Sequence, residues 1–350
     1  MLKPSAFAEL SKLCRRSFPE RLDQRISQAE AVPDARHPAL AFALSWREGR
    51  RPRLERLIVR RYADPWTWWS TDDRQKARRE WEVLRWLYGH GLPVPAPYAW
   101  GAGEGGFVLL ARMPGRDGTS LAGQGVQTGA PYLDALARTL AQLHRLTPAS
   151  AVSGVLPLVA ARDELARLGQ LADQASDGSL RQAVAGLAAL WAAANVEEGP
   201  PCVLHGDPHL SNALFDARGI TALQGWENGA LGDPRWDLAR AVNGLQEHGA
   251  GDVADRFCAV YAGQTGQLPS AMAFWTTLAA IQSWALAAWV CAGVCGRTGG
   301  EGIAASPAAD AWIADLTTWR EQAWRGLTRL HHEQEELSAP SEHLSANDGL

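Results

Sequence analysis

What this sequence lacks narrows its function first. Its five cysteines (Cys14, Cys202, Cys258, Cys291 and Cys295) form no CxxC pair and no cysteine–histidine cluster of zinc spacing. A disulfide framework or structural zinc is therefore not expected, and reduced thiols in the cytoplasm are. Charge of one sign is not in excess: 34 Lys and Arg against 38 Asp and Glu leave a formal net charge of -4. That balance argues against an electrostatic nucleic-acid binder. Arginines do gather from Arg47 to Arg61 and from Arg74 to Arg85, which reads as solvated faces. Met1 to Phe18 has no long apolar core and carries Lys3, Glu9, Lys12, Arg15 and Arg16, unlike a secretory leader. Internal repeats and long low-complexity linkers are also missing.

One absence invites a membrane reading. No charged residue lies between Arg256 and Arg297, and Met272 to Cys295 is long enough to span a bilayer. The stretch is rich in Ala, contains Thr276, Thr277, Gln282 and Ser283, and has few Leu or Ile. Gly263, Gly266 and Pro269 split the uncharged run in two. A buried central helix is expected, and no membrane partner.

What is present supports a large packed chain: 350 residues, 46% hydrophobic and 21% charged. Ser5 to Arg16 has helical spacing. Strand-like runs follow at Arg25 to Ala31, Ala39 to Trp46 and Leu54 to Tyr62, with a turn at Glu48-Gly49-Arg50. The capping residues Ser70 to Asp73 precede a helical stripe of Ala77, Trp81, Leu84 and Tyr88 that stops at Gly91 and Pro93. Tyr98 to Trp100 and Phe107 to Leu110 read as further strands. Beyond residue 114 helical spacing takes over, at Pro131 to Arg145, Ala160 to Gln174, Leu180 to Ala194 and Pro307 to Leu330. Two short strands interrupt it, Ala213 to Phe215 and Ile220 to Leu223, after which only helices are expected. The order is α+β: a strand-rich lobe over residues 1–113, a helical lobe over 114–337, and a disordered tail over 338–350.

Residues 204–215 read Leu-His-Gly-Asp-Pro-His-Leu-Ser-Asn-Ala-Leu-Phe. Phosphoryl transfer needs a carboxylate to orient the accepting hydroxyl and oxygen ligands to hold Mg2+ against a triphosphate. Asp207 suits the first task and Asn212 the second. Either residue alone is commonly a turn former; the pair at this spacing between two apolar strands is specific.

With these residues the chain resembles the aminoglycoside phosphotransferase family, the small-molecule branch of the protein-kinase-like fold that includes choline-kinase-like enzymes. That family's loop reads His-Gly-Asp, four residues, then Asn. It continues with Ile-Asp-Trp-Glu, Leu-Gly-Asp-Pro and Asp-Leu-Ala. Here Leu223-Gln224-Gly225-Trp226-Glu227, Leu231-Gly232-Asp233-Pro234 and Asp237-Leu238-Ala239 follow in register. The likeness runs from about residue 55 to 245. It implies a bilobal protein-kinase-like fold, with a small antiparallel sheet in the first lobe and a mostly helical second. It implies ATP or GTP with Mg2+, and a small hydroxyl-bearing substrate. By position, Arg60 is the phosphate-pairing cation and Glu80 the carboxylate that holds it, with Arg61 and Glu82 the alternatives should the strand slip by one residue. Leu110, Ala111, Arg112 and Met113 form the connection that reads the base. Asp207 is the base, Asn212 a metal ligand, and His205, Asp233 and Asp237 support the loop. His144 reads as a hydrogen-bonded core histidine.

The pattern breaks at Gly225, which stands where the family has its second metal-binding Asp. Losing that ligand removes several kcal/mol of transition-state stabilisation, about three orders of magnitude in rate. Glu227, two residues on, could reach the metal if the backbone stays extended. The segment Val32 to Pro38, between the first two strands, also lacks the glycine that lets backbone amides approach phosphates, and Arg36 is its one candidate substitute. Two functions are therefore expected to compete. One is a small-molecule kinase with impaired catalysis; the other is a pseudokinase that binds a nucleotide, metabolite or protein. Residues 114–130 and 240–300, expected to line the acceptor site, carry few acids (Asp117, Glu247, Asp252, Asp255), which does not suit a polycationic aminoglycoside. Trp275, Trp284 and Trp289 are a candidate aromatic wall there, with core packing the expected role of most of them.

Overall fold

The computed structural model describes residues 4–32, 38–62, 69, 75–102, 106–119, 126–247, 251–267, 269–293 and 307–338. The segment around Arg36, the capping cluster Ser70 to Asp73, Cys295 and residues 339–350 lie outside the described residues.

Helix α1 (Pro4–Ser17) leads into strands β1 (Leu22–Val32), β2 (Ala39–Glu48) and β3 (Arg51–Arg61). After α2 (Lys76–Gly89) come β4 (Pro97–Gly101) and β5 (Phe107–Ala111). The five strands form one antiparallel sheet in the order β1-β2-β3-β5-β4. Side chains alternate faces along a strand, and this sorts β3. Leu57 and Val59 join Phe42, Leu44 and Leu109 beneath Leu10, Cys14 and Phe18 from the α1 end of the chain. Ile58 packs on the opposite side with Val83, Leu84 and Leu87 of α2.

Beyond residues 112–115 the chain adds β6 (Arg116–Asp117), α3 (Val126–His144), the single turn α4 (Ser150–Ser153), α5 (Ala161–Ala175) and α6 (Gly178–Ala194). Next come β7 (Cys202–Leu204), β8 (Ala213–Asp216), β9 (Gly219–Leu223) and β10 (Ala230–Gly232). Helices α7 (Arg235–Glu247), α8 (Gly251–Thr265), α9 (Met272–Cys291) and α10 (Pro307–Ser338) complete the described chain. The expectation of helices alone after residue 223 was wrong: β10 pairs antiparallel with β7. Strands of three residues are too short to display a period of two. Helix α3 also runs through Pro131 instead of starting at it. A proline near a helix start removes only one backbone bond.

The uncharged stretch is α9, and its composition follows from where it sits. Trp275, Leu278, Ile281, Trp284 and Leu286 are fully buried among α5, α6, α7 and α10. Thr276 and Thr277 donate back to the carbonyls of Met272 and Ala273 at 2.9 and 2.7 Å. Gln282 donates to Glu164 at 2.5 Å and accepts from Arg240. A helix that is apolar all round belongs in a core when protein covers every side. Trp275, Trp284 and Trp289 are therefore core residues and form no wall of a cleft.

Candidate active site

Strand β7 delivers the loop His205-Gly206-Asp207 into the space between the lobes. Gly206 has φ +83°, and a Cβ there would lie 2.0 Å from the carbonyl oxygen of Asn228, so only glycine fits. Asp237, fully buried in the first turn of α7, accepts the amide hydrogens of His205 (2.7 Å) and Gly206 (2.8 Å) on its two oxygens. The same carboxylate faces His144 Nε2 at 3.1 Å, and His144 Nδ1 lies 2.9 Å from the Tyr261 hydroxyl.

His205 Nδ1 accepts from the Asp207 amide at 3.2 Å, so Nε2 carries the hydrogen donated to the Gln224 carbonyl at 3.0 Å. This network assigns a neutral imidazole. Burial lowers the His205 pKa, against the pull of Asp237, Asp207 and Glu227. Asp233 takes the amides of Gly199 and Arg235 and a two-pronged guanidinium contact from Arg235. Burial pushes its pKa up, but these bonds outweigh it and hold the carboxyl below the ordinary range. All three residues thus hold backbone or structure.

Asp207 is buried, and Asn212 closes a short 3-10 turn, Leu210–Asn212, ahead of β8. The Asn212 amide donates to the Asp207 carbonyl at 2.8 Å and to its carboxylate at 3.1 Å. The amide group of Asn212, Oδ1 included, lies against Gly225. An ideal Cβ on Gly225 would sit 2.9 Å from that oxygen. The Gln224 amide donates to the Asn212 carbonyl at 2.8 Å, which fixes the register between the two segments.

On the opposite wall Arg60 is buried and Arg61 is exposed, its guanidinium 3.7 Å from Glu9 at the surface. Arg60 Nη1 lies 3.1 Å from Glu80 Oε1 and 3.9 Å from Glu227 Oε2. The extended run needed for Glu227 to replace the missing ligand is not there. Gly225 is left-handed, at φ +85° and ψ 47°, and the chain then curls into a 3-10 turn, Trp226–Asn228. The Glu227 carboxylate goes to the cation of the other lobe.

Two partners of this turn were missed in the sequence. Arg79 Nη1 donates to the Glu227 carbonyl at 2.9 Å, and Trp69 Nε1 donates to the Asn228 carbonyl at 2.6 Å. Arg79 adjoins Glu80 but carries no motif, and Trp69 stands in a stretch with no periodicity. Of the four connecting residues, Leu110 and Ala111 are in β5, where the Ala111 amide is taken by the Ala96 carbonyl. Arg112 and Met113 border a cavity of about 640 Å³ together with Gln28, Glu30, Ala43 and Arg56. The Arg112 guanidinium meets Glu30 at 2.7 Å.

The residues that converge here fit one side of a magnesium site only. Asn212 supplies one amide oxygen, whereas Mg2+ binds through carboxylates plus phosphate oxygens and water. Among the described residues no three His, Cys, Asp or Glu side chains cluster as a metal site.

The sequence matches the model of the phosphotransferase enzyme family over residues 17–275. It has no match among curated proteins. Among solved structures the chain is similar to macrolide 2′-phosphotransferase MphH from Brachybacterium faecium, with 20% identity and TM-score 0.56 over 89% of this chain and 98% of that one. It is similar to a thermostable mutant of aminoglycoside phosphotransferase APH(4)-Ia in ternary complex with AMP-PNP and hygromycin B, with 14% identity and TM-score 0.59 over 91% and 98%. Choline kinase LicA from Streptococcus pneumoniae matches with 16% identity and TM-score 0.56 over 92% and 99%. At these identities the likeness is one of fold.

Proposed function

Because this chain belongs to the phosphotransferase enzyme family, we propose that it is a cytoplasmic, nucleotide-binding relative of the small-molecule kinases in which phosphoryl transfer is impaired. One observation carries the proposal: Gly225, which offers no side-chain oxygen, lies against the Asn212 amide, where a second oxygen ligand would complete a metal site.

The remaining parts suit transfer to the hydroxyl of a small molecule. Asp207 is the group to orient and deprotonate that hydroxyl, and its carboxylate is already steadied by the Asn212 amide. Arg60, fixed by Glu80 and by the more distant Glu227, is the cation to meet the phosphates of ATP or GTP. Mg2+, when bound, would neutralise phosphate charge, and Asn212 is the residue to hold it. The nucleotide reading is supported by the AMP-PNP bound to APH(4)-Ia, and the small-molecule acceptor by hygromycin B in that complex and by the choline kinase.

A second reading, a pseudokinase that binds nucleotide without transferring phosphate, draws on the same glycine. Calorimetry with ATP and GTP, with and without Mg2+, separates the cases. Weak binding with little Mg2+ dependence, strengthened in Gly225→Asp, is the expected result. Tight Mg2+-dependent binding by the natural protein would overturn the impaired site. Binding without transfer to any hydroxyl, even in Gly225→Asp, would favour the pseudokinase.

A further inference from the structure

The hairpin joining β2 to β3 runs past the end of β5, because Leu57 is the β3 residue paired with Ala111 and the β2–β3 ladder continues to Glu48–Arg51. Cross-strand partners share a face. Leu22 pairs with Arg47, Arg25 with Ser45, Ser45 with Leu54, and Ala43 with Arg56. Leu22, Arg25, Arg47, Leu54 and Arg56 therefore stand on one side of this projecting sheet end, with Arg50 and Arg51 at its tip.

Two independent features mark this face. Leu22 and Leu54 are 68% and 63% exposed, the second and third most exposed large apolar side chains among the described residues. Arg25, Arg47, Arg50 and Arg51 are exposed, and none forms an ion pair among the described residues; Arg56, farther from the tip, borders the cavity beside Arg112 and Met113. On a chain of formal net charge -4, this is a concentrated patch of the opposite sign.

We propose that the β2–β3 hairpin and the adjoining start of β1 dock on an anionic lipid surface. Arginines at the tip meet lipid phosphates, which they grip as planar donors. Leu22 and Leu54 enter the boundary between headgroups and acyl chains. A lipid surface fits better than a nucleic acid, because the exposed apolar groups are aliphatic and offer no aromatic face for bases to stack on. The docking is peripheral: α9, the one described helix long and apolar enough to span a bilayer, is buried in the core. The inference does not depend on the phosphoryl-transfer reading, since the hairpin tip is outside the residues assigned to that site.

Sedimentation with phosphatidylcholine vesicles, with and without phosphatidylglycerol, tests it on the full chain. The natural protein should bind only the anionic vesicles, and added salt should release it. Arg47→Glu/Arg50→Glu/Arg51→Glu should weaken binding roughly a hundredfold, and Leu54→Ser should weaken it severalfold at unchanged charge. Unchanged thermal unfolding of both variants would keep misfolding out of the result. The proposal is overturned by absence of binding to anionic vesicles at low salt, or by equal binding of the triple variant. It is also overturned if a single-stranded oligonucleotide or a second copy of the chain occupies the hairpin more tightly than the vesicles do.

Discussion

Asn212 and Gly225 lie against each other at the candidate metal site, the amide oxygen and carbon of one 2.9 and 3.0 Å from where a Cβ of the other would stand. The contact is not crowded by chance: the Gln224 amide bonds the Asn212 carbonyl immediately beside it. A side chain grafted at residue 225 would therefore press on the Asn212 amide, which must shift by a few tenths of an ångström to admit it beside Oδ1. The backbone there is left-handed, a region that Asp enters more readily than most residues, at a cost of about 1 kcal/mol. Gly225→Asp should fold, bind nucleotide roughly tenfold or more tightly in Mg2+ than in EDTA, and raise any measurable transfer rate. Calorimetry and a coupled phosphotransfer assay read both effects. A variant that folds but shows no gain in Mg2+ dependence would refute the geometry.

Asp207 is assigned to the acceptor hydroxyl rather than to the nucleotide. In the Gly225→Asp background, Asp207→Asn should lower transfer by about a thousandfold while leaving nucleotide affinity within about threefold. Single-turnover rates and equilibrium titrations distinguish that outcome from a general loss of binding.

Glu80 is fully buried against Arg60. Glu80→Ala removes the carboxylate 3.1 Å from a buried guanidinium, at a cost of about 3 kcal/mol in unfolding free energy. Urea denaturation would measure it. Arg61→Ala, whose side chain is at the surface, should change stability by less than about 0.5 kcal/mol.

Trp69 reaches from the segment after β3 into the second lobe, where its ring meets Trp236 at 5.1 Å and its N–H bonds the Asn228 carbonyl. Trp69→Phe keeps an aromatic ring and deletes that bond, costing about 1 to 2 kcal/mol. Hydrogen exchange at residues 225–229 should rise in the same variant, a change that loss of ring packing elsewhere would not produce.

The neutral, buried His205 makes stability depend on pH. Its pKa is lowered by burial, so the unfolded chain takes up a proton before the native one does. Its contribution is complete above the ordinary value of 6.5 and is lost as pH falls toward the depressed native value. Unfolding temperature should therefore drop as pH falls below about 6.5. His205→Gln should reduce that slope, even if it lowers stability at every pH.

Much of this arrangement was legible in the sequence because kinase-type loops compress their chemistry into short spacings. His205 to Asn212 declared itself, and the register on either side exposed Gly225 as a gap. Alternation along β3 was also informative: Leu57, Ile58 and Val59 set the faces, leaving only a choice between Arg60 and Arg61. What stayed hidden depends on contacts between distant segments. Nothing near Arg79 announces that it bonds a carbonyl 148 residues later. Nothing near Trp69 announces Asn228, and the pairing of β10 with β7 involves strands too short for any periodicity. Glu227 was misjudged for a related reason, since its direction depends on the left-handed turn at Gly225 and sequence alone did not reveal that conformation.

The carboxylate of Asp237 has a bearing on how the protein comes off the ribosome. The amides of His205 and Gly206 have their partner on a residue made 32 and 31 positions later. A nascent chain that has exposed β7 and the loop, but not the first turn of α7, holds two donors that the fold has not yet matched. The loop is thus set only after residue 237 has emerged, and Asp237 is the residue that closes it.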